Sequence, residues 1–268
     1  MSYTKHNANT WDEWAKGGCP WSIPCTAEDI QKARAGDWGV TLACQVIVPR
    51  EWFAPFLKDN SLAGCKLLGL ACGGGQQMPI FASLGADCTV LDYSTSQLQA
   101  ERDVAAREGY AIEIVQADMT QRLPFEDASF DLIFHPVSNC YIEDVQHVWD
   151  ECARVLRPGG VLLAGCDNGI NFLFEEQTHP PRVVNKLPFN TLRLSEKEQK
   201  RKLKDNRGAF FFSHTMEEQI GGQLKAGFRL THLLEDRDLP GHAAAIAEYY
   251  PQYILTRALK EPTHTTAT

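Results

Sequence analysis

The chain has 268 residues, is 44% apolar with 13 Phe and 6 Trp, and carries a formal net charge of −8. That length and apolar fraction exclude a disordered chain and support one large domain, or one domain with a cap. The acidic balance argues against nucleic acid as the main partner, because phosphate binding favours a basic face.

Residues 1–62 come first and are rich in Trp, Pro and Gly, with short helical stretches that read as an N-terminal arm or lid. No apolar run in the sequence reaches the ~18 residues needed to span a bilayer, and the opening residues lack the apolar centre of a secretory signal. The nine cysteines are scattered, none forms a Cys-x-x-Cys pair, and Cys19 and Cys25 have no histidines nearby to complete a zinc site. These features predict a reduced, cytoplasmic protein with no metal and no membrane partner, either monomer or homodimer.

The architecture lies in the next segment, 63–167. KLLGLA at 66–71 is a short apolar run ending in glycines and reads as a buried strand. A helix fits 76–84, stopped by Gly85. DCTVLD at 87–92 is a second strand, and 94–108 is a helix that Ser94 can cap and Gly109 ends. Strands follow at 111–118 and 130–136, then a helix at 145–156. Residues 157–160, Arg-Pro-Gly-Gly, read as a turn, since Pro fixes φ and Gly permits positive φ; a fifth strand occupies 161–165. Strands alternating with helices predict parallel pairing through right-handed crossovers, hence a doubly wound, mostly parallel α/β sheet. Such sheets bind ligands at the carboxyl ends of their strands, near the switch in strand order. Those ends fall at 71–76, 92–93, 118–119 and 135–139.

Residues 168–213 are irregular and then charged. The stretches NFLFEEQ, KLPFN and GAFFF predict a cap insertion that gives aromatic walls to a small, partly hydrophobic substrate. The basic run 197–207 is interleaved with acids and reads as a solvated helix face. A helix and two strands close the domain by residue 260, leaving 261–268 as a flexible tail.

The chemistry-bearing residues start with ACGGGQQ at 71–77, which follows a strand and opens a helix. Glycines there let a ligand approach the backbone, and exposed amides favour an anionic group. Asp92 ends the second strand, where a carboxylate can accept both hydroxyls of a ribose. A dinucleotide fingerprint would need a third glycine at position 78, which is Met78, and no phosphate-binding G-x-x-x-x-G-K is present. A nicotinamide oxidoreductase is therefore disfavoured.

The segments LLGLACGGG, VLDYSTSQL, VQADMTQRLPFEDASFDLIFHPVSN and RVLRPGGVLLAG together resemble the class I S-adenosylmethionine-dependent methyltransferases. The resemblance implies a seven-stranded Rossmann-like sheet with its last strand antiparallel, the pieces 215–225, 228–235 and 253–259 completing it. It implies S-adenosylmethionine as methyl donor and S-adenosylhomocysteine as product. Ala71, Gly73 and Gly75 would lie under the methionine part, Asp92 would hold the ribose, and Tyr93, Asp118 and Met119 would border the adenine, with Gln97 and Pro136 completing the contacts. This chain departs from the family pattern at Gly69, where an acidic residue is usual, and at Ala71, where a glycine is usual; alanine fits there if φ is negative. The N-terminal Trp-rich stretch is similar to that of a bacterial subgroup of small-molecule methyltransferases.

The expected function is methyl transfer to an O, N or S atom of a small-molecule acceptor; the alternative is a non-catalytic nucleoside-binding regulator with the same fold. Trp11, Trp14 and Trp21 can cover the site, where an indole face attracts a sulfonium by cation–π interaction, or can simply anchor the arm. Transfer is an in-line displacement that needs alignment above all; a hydroxyl acceptor also needs a base. His135, at the end of the fourth strand, and His214 are the candidate bases, against the competing roles of backbone anchor and helix-start neighbour. Asn139 and Tyr141 are the candidates to orient the acceptor.

Overall fold

The computed structural model describes residues 2–175, 178, 180–205, 208–238 and 245–261. Helix α1 (Tyr3–Lys16) starts at the Ser2 cap, and α2 (Ala27–Arg34) starts at a reciprocal capping box between Thr26 and Asp29. Then follow β1 (Lys66–Leu70), α3 (Met78–Ser83), β2 (Asp87–Asp92), α4 (Thr95–Glu108), β3 (Glu113–Gln116), β4 (Phe130–His135), α5 (Val145–Val155), β5 (Leu156–Asp167), α6 (Glu196–Asp205), α7 (Gly222–Lys225), β6 (Phe228–Asp236) and β7 (Tyr253–Lys260).

The seven strands form one sheet in the order β3-β2-β1-β4-β5-β7-β6. The first five pair in parallel, and β7 runs antiparallel to both β5 and β6. The order reverses between β1 and β4, so the crevice for a ligand opens there. Side-chain alternation along the buried strands divides the core in two: Leu67, Leu132 and Phe134 pack on one face with Trp52, Phe53 and Phe81, while Leu68, Leu70 and Ile133 pack on the other. On that second face α5 buries Val145, Val148, Trp149, Cys152 and Val155, a stripe at three- and four-residue spacing.

Three elements depart from the sequence reading, the first being the strand expected at 111–118, which is only Glu113–Gln116. The strand expected at 161–165 is longer at both ends. It starts at Leu156, paired with Phe130, and resumes with Val161 opposite Leu132, so residues 157–160 are a bulge in the ladder rather than a turn before it. It then runs to Asp167, because β7 pairs with it as far as Asp167 opposite Tyr253. The helix expected at 215–225 begins with a π turn, Glu217–Gly221, before α7. Trp149 supplies the reason: its indole N–H donates to the Glu218 carbonyl at 3.1 Å, taking that acceptor out of the helical ladder.

Residues 206 and 207 of the basic run, and 262–268 of the expected tail, lie outside the described residues. All nine cysteines are free. Among the described residues no cluster of His, Cys, Asp and Glu is arranged to hold a metal, and no helix is long and apolar enough to cross a membrane.

Candidate active site

A cavity of about 930 Å³ opens over the carboxyl ends of β1, β2, β4 and β5. Its floor is the loop after β1. Gly73 has no room for a side chain: a Cβ there would lie 2.7 Å from Gln97 Cβ and 3.0 Å from Asp92 Oδ2. Gly75 plays a different part from the one expected. It does not border the cavity but sits beneath the loop, its N–H donating to Glu101 Oε1 at 2.7 Å and its carbonyl accepting from Cys25 N–H at 2.8 Å. Ala71 does border the cavity, yet with φ of +49°, so the condition of negative φ is not met. A left-handed L-residue costs ~1–2 kcal/mol. Ala71→Gly should therefore raise stability by roughly 0.5–1 kcal/mol while leaving S-adenosylhomocysteine affinity within twofold, as read by urea unfolding and calorimetry. Lower stability would show that the alanine methyl contributes more packing than strain. At Gly69 a Cβ would come 2.4 Å from Met78 Sδ, so the thioether fills the space that the acidic side chain usual in the family would need.

Asp92 ends β2 on the cavity wall. The N–H groups of Ser94 and Gly73 donate to its two carboxylate oxygens at 2.9 and 3.1 Å. Burial raises its carboxyl above the ordinary aspartate value, and the Ser94, Gly73 and Tyr93 backbone amides oppose that rise. Tyr93, Gln97, Asp118, Met119 and Pro136 border the same cavity. Asp118 Oδ1 accepts from both the N–H and the hydroxyl of Thr120, which fixes the carboxylate at the rim. Lys5 lies over the Tyr93 ring at 5.4 Å.

The N-terminal arm closes one side. Asp12 on α1 accepts from Ser94 Oγ at 2.6 Å, from Thr95 Oγ1 at 2.9 Å and from Ser96 N–H at 2.9 Å, and so ties α1 to the start of α4. Burial pushes its carboxyl up, but these bonds outweigh it and hold the carboxyl below its ordinary value. Asn7 joins α1 to the other side of the cavity, donating to the carbonyls of Tyr141 and Phe210 and accepting from Phe210 N–H. Trp11, Trp14 and Trp21 all border the cavity. Trp11 and Trp14 meet at 5.0 Å and both pack edge-on against Tyr141, which in turn meets Phe211 at 5.2 Å. Phe172 and Phe189, stacked at 5.5 Å, extend this wall, Phe172 also touching Phe211. The chamber beyond the strand-end crevice is thus aromatic.

The two histidines and Asn139 stand elsewhere. His135 is fully buried and does not border the cavity. Its Nδ1 bonds the Leu70 carbonyl and its Nε2 bonds the Asn139 side-chain amide, both at 2.9 Å. Burial lowers its pKa, which keeps the ring neutral, and Trp149 packs on it. His214 is buried as well, with Nε2 held between the carbonyls of Asn139 and Ile142. Asn139 is fully buried and continues the network to Gln219. Neither ring borders the cavity: His135 bonds the Leu70 carbonyl and the Asn139 side chain, and His214 bonds the carbonyls of Asn139 and Ile142. Asn139 likewise anchors the loop, whereas Tyr141 does border the cavity.

Three buried polar atoms on the cavity wall have no hydrogen-bond partner: Gln97 Oε1 beside the glycine loop, and Ser138 Oγ and Asn171 Oδ1 in the aromatic chamber. A floor that admits no side chain at Gly73 and the carboxylate of Asp92 suit a nucleoside with an amino-acid tail. Ser138, within the strand end read at 135–139, borders the cavity, and so do Asn171, Asp167 and Tyr253, which the sequence reading missed. Asp167 ends a strand as Asp92 does, and ending the fifth strand at 165 had hidden that signal.

A family model described as a methyltransferase domain matches residues 68–164. The chain is 37% identical over 258 residues to the uncharacterized methyltransferase YbaJ of Bacillus subtilis, covering 95% of this chain and 97% of that one. Among solved structures, an S-adenosylmethionine-dependent methyltransferase from Mesorhizobium loti superposes with a TM-score of 0.58 at 19% identity, over 76% of this chain and 93% of that one. A chain from the complex between the Haloferax volcanii Trm112 methyltransferase activator and a putative methyltransferase matches with a TM-score of 0.55 at 17% identity, over 97% and 99% of the two chains.

Proposed function

The chain belongs to the class I S-adenosylmethionine-dependent methyltransferases, and from that premise we propose that it methylates an O, N or S atom of a small molecule. The observation that carries this reading is the continuity of the cavity, which joins the strand-end crevice at Asp92 to an aromatic chamber walled by Trp11, Tyr141, Phe172, Phe189 and Phe211. A chamber of that size and lining suits a small, partly apolar acceptor.

In this account Asp92 holds the ribose hydroxyls, the bare backbone at Gly73 admits the methionine tail, and Asp118, Met119 and Tyr93 border the adenine. The bound donor supplies a methyl group on a sulfonium, already primed to leave. What the chain contributes is alignment and the exclusion of water: α1 of the N-terminal arm and the described residues of the cap at 168–213 would enclose the acceptor, and their aromatic faces favour a cation over bulk water. A reducing cytoplasm is the setting that suits nine thiols, most of them buried singly.

The test is a screen of metabolite extracts with isotopically labelled methyl donor, products identified by mass. The expected result is a labelled product of low molecular mass. Label found only in macromolecules, protein or RNA, would overturn the small-molecule reading.

A further inference from the structure

We propose that Asp167 is the group that takes the proton from a hydroxyl or amine acceptor during methyl transfer. The proposal rests on the small-molecule reading above and adds to it the residue that activates the acceptor.

The placement argues first. Strand β5 adjoins β4 on the side away from β1, β2 and β3. The ends of β2 and β5 are three strand spacings apart, ~14 Å at ~4.8 Å each. Asp92 and Asp167 therefore stand at opposite ends of one cavity, the first in the crevice, the second in the aromatic chamber. Asp167 is only 7% exposed, and what it exposes faces that chamber. The Gly169 N–H donates to its Oδ1 at 2.5 Å, which fixes the carboxylate on the wall. Among the described residues no Lys or Arg forms an ion pair with it, so it is not held as a permanent anion. Ser138 and Asn171 border the same chamber.

The electrostatics agree. Burial raises the Asp167 carboxyl to about 7, against the hydrogen bonds from Gly169 and the Asn171 side chain. A base poised there is ionised in part at neutral pH and still basic enough to accept a proton. The thiols and phenols around it do not titrate in the same range. Cys140 and Tyr141 from the turn after β4, Tyr253 from β7 and Cys166 on β5 itself are all pushed up by burial and stay neutral. His214, whose backbone lies behind Gly169, turns its ring to the carbonyls of Asn139 and Ile142.

The step balances without another reactant. The O–H bond of a hydroxyl acceptor, or one N–H bond of an amine acceptor in its ammonium form, breaks and its proton passes to the Asp167 carboxylate. The freed electron pair forms the bond to the methyl carbon as the carbon–sulfur bond breaks, its electrons staying on sulfur in S-adenosylhomocysteine. Asp167, now neutral, later releases the proton to water.

Asp167→Asn keeps the shape and the Gly169 contact but cannot take a proton. With labelled S-adenosylmethionine, three probe sets are used: phenols, aliphatic amines, and aryl thiols that are already thiolates at the assay pH. For a phenol or amine that the wild type methylates, D167N should be at least a hundredfold slower in kcat, and the acidic limb of the pH–rate profile, with a midpoint near 7 in the wild type, should vanish. An aryl thiolate should react at nearly the wild-type rate, and S-adenosylhomocysteine should bind with unchanged affinity. Infrared difference spectra should show a carboxyl band titrating near 7 in the wild type that is missing in D167N, beside the Glu101 band near 8 that both proteins keep. Equal phenol or amine rates in the two proteins, an unchanged pH profile, or no such band would each overturn the role of Asp167 and leave small-molecule methylation standing. A wild type that methylates none of the probes defeats the small-molecule reading itself, and this proposal with it.

Discussion

Replacing Asp92 by alanine should weaken S-adenosylhomocysteine binding at least tenfold, ~1.4 kcal/mol or more, in a protein that remains folded. The carboxylate is engaged twice. One spare acceptor site on each oxygen is available to a ribose diol, and charge-assisted bonds of that kind are among the stronger polar contacts. The same oxygens also receive the N–H groups of Gly73 and Ser94, so the side chain shapes the floor on which the methionine tail would lie. Asp92→Asn separates the two roles: it keeps one acceptor oxygen for the loop but offers the diol a single acceptor and a mismatched donor. Affinities should fall in the order wild type, D92N, D92A. A folded D92A that binds within twofold of the wild type by calorimetry would remove Asp92 from the nucleoside site.

A second large effect lies beneath that floor. Glu101 on α4 is fully buried; its Oε1 accepts from Gly75 N–H, and its Oε2 has no partner. Burial raises its carboxyl to about 8, the Gly75 bond opposing and the nearby Asp92 charge reinforcing the rise. The folded protein therefore keeps a proton that the unfolded chain releases above about pH 4, and its stability falls as pH climbs from there to about 8. Glu101→Gln has the same shape and no titration. The two proteins should unfold at similar urea concentrations at pH 4, and by pH 8 E101Q should be the more stable by several kcal/mol, ~5 at most. Parallel pH dependences in the two proteins would mean that Glu101 meets enough solvent or a partner to ionise cheaply.

The sheet was legible because its signals are local. The buried strands are short apolar runs closed by Gly, Asp or Pro, and Ser94 and Gly109 mark both ends of α4 where they were read. What escaped depends on neighbours remote in sequence. The bulge at 157–160 and the reach of β5 to Asp167 are set by β4 and β7, the latter almost ninety residues further on. The π turn is set by the Trp149 indole on another helix. The site followed the same division. Asp92, Asp118, Met119 and Pro136 stand where the strand-end rule put them. His135 obeys that rule too, yet its side chain points under the sheet end to the Leu70 carbonyl, a direction that strand position alone does not specify. The chamber's aromatic wall joins α1 to residues 172, 189 and 211, and only the fold brings those segments together.

The loop at 71–77 and the carboxylate of Asp92 should together receive S-adenosylmethionine, and a crystal structure of the protein with S-adenosylhomocysteine decides it. The ribose hydroxyls should lie on Asp92, the adenine beside Asp118 and Met119, and the homocysteine carbons should cross Gly73 toward the aromatic chamber. Ligand density elsewhere, or a crevice still vacant at saturating ligand, would contradict it.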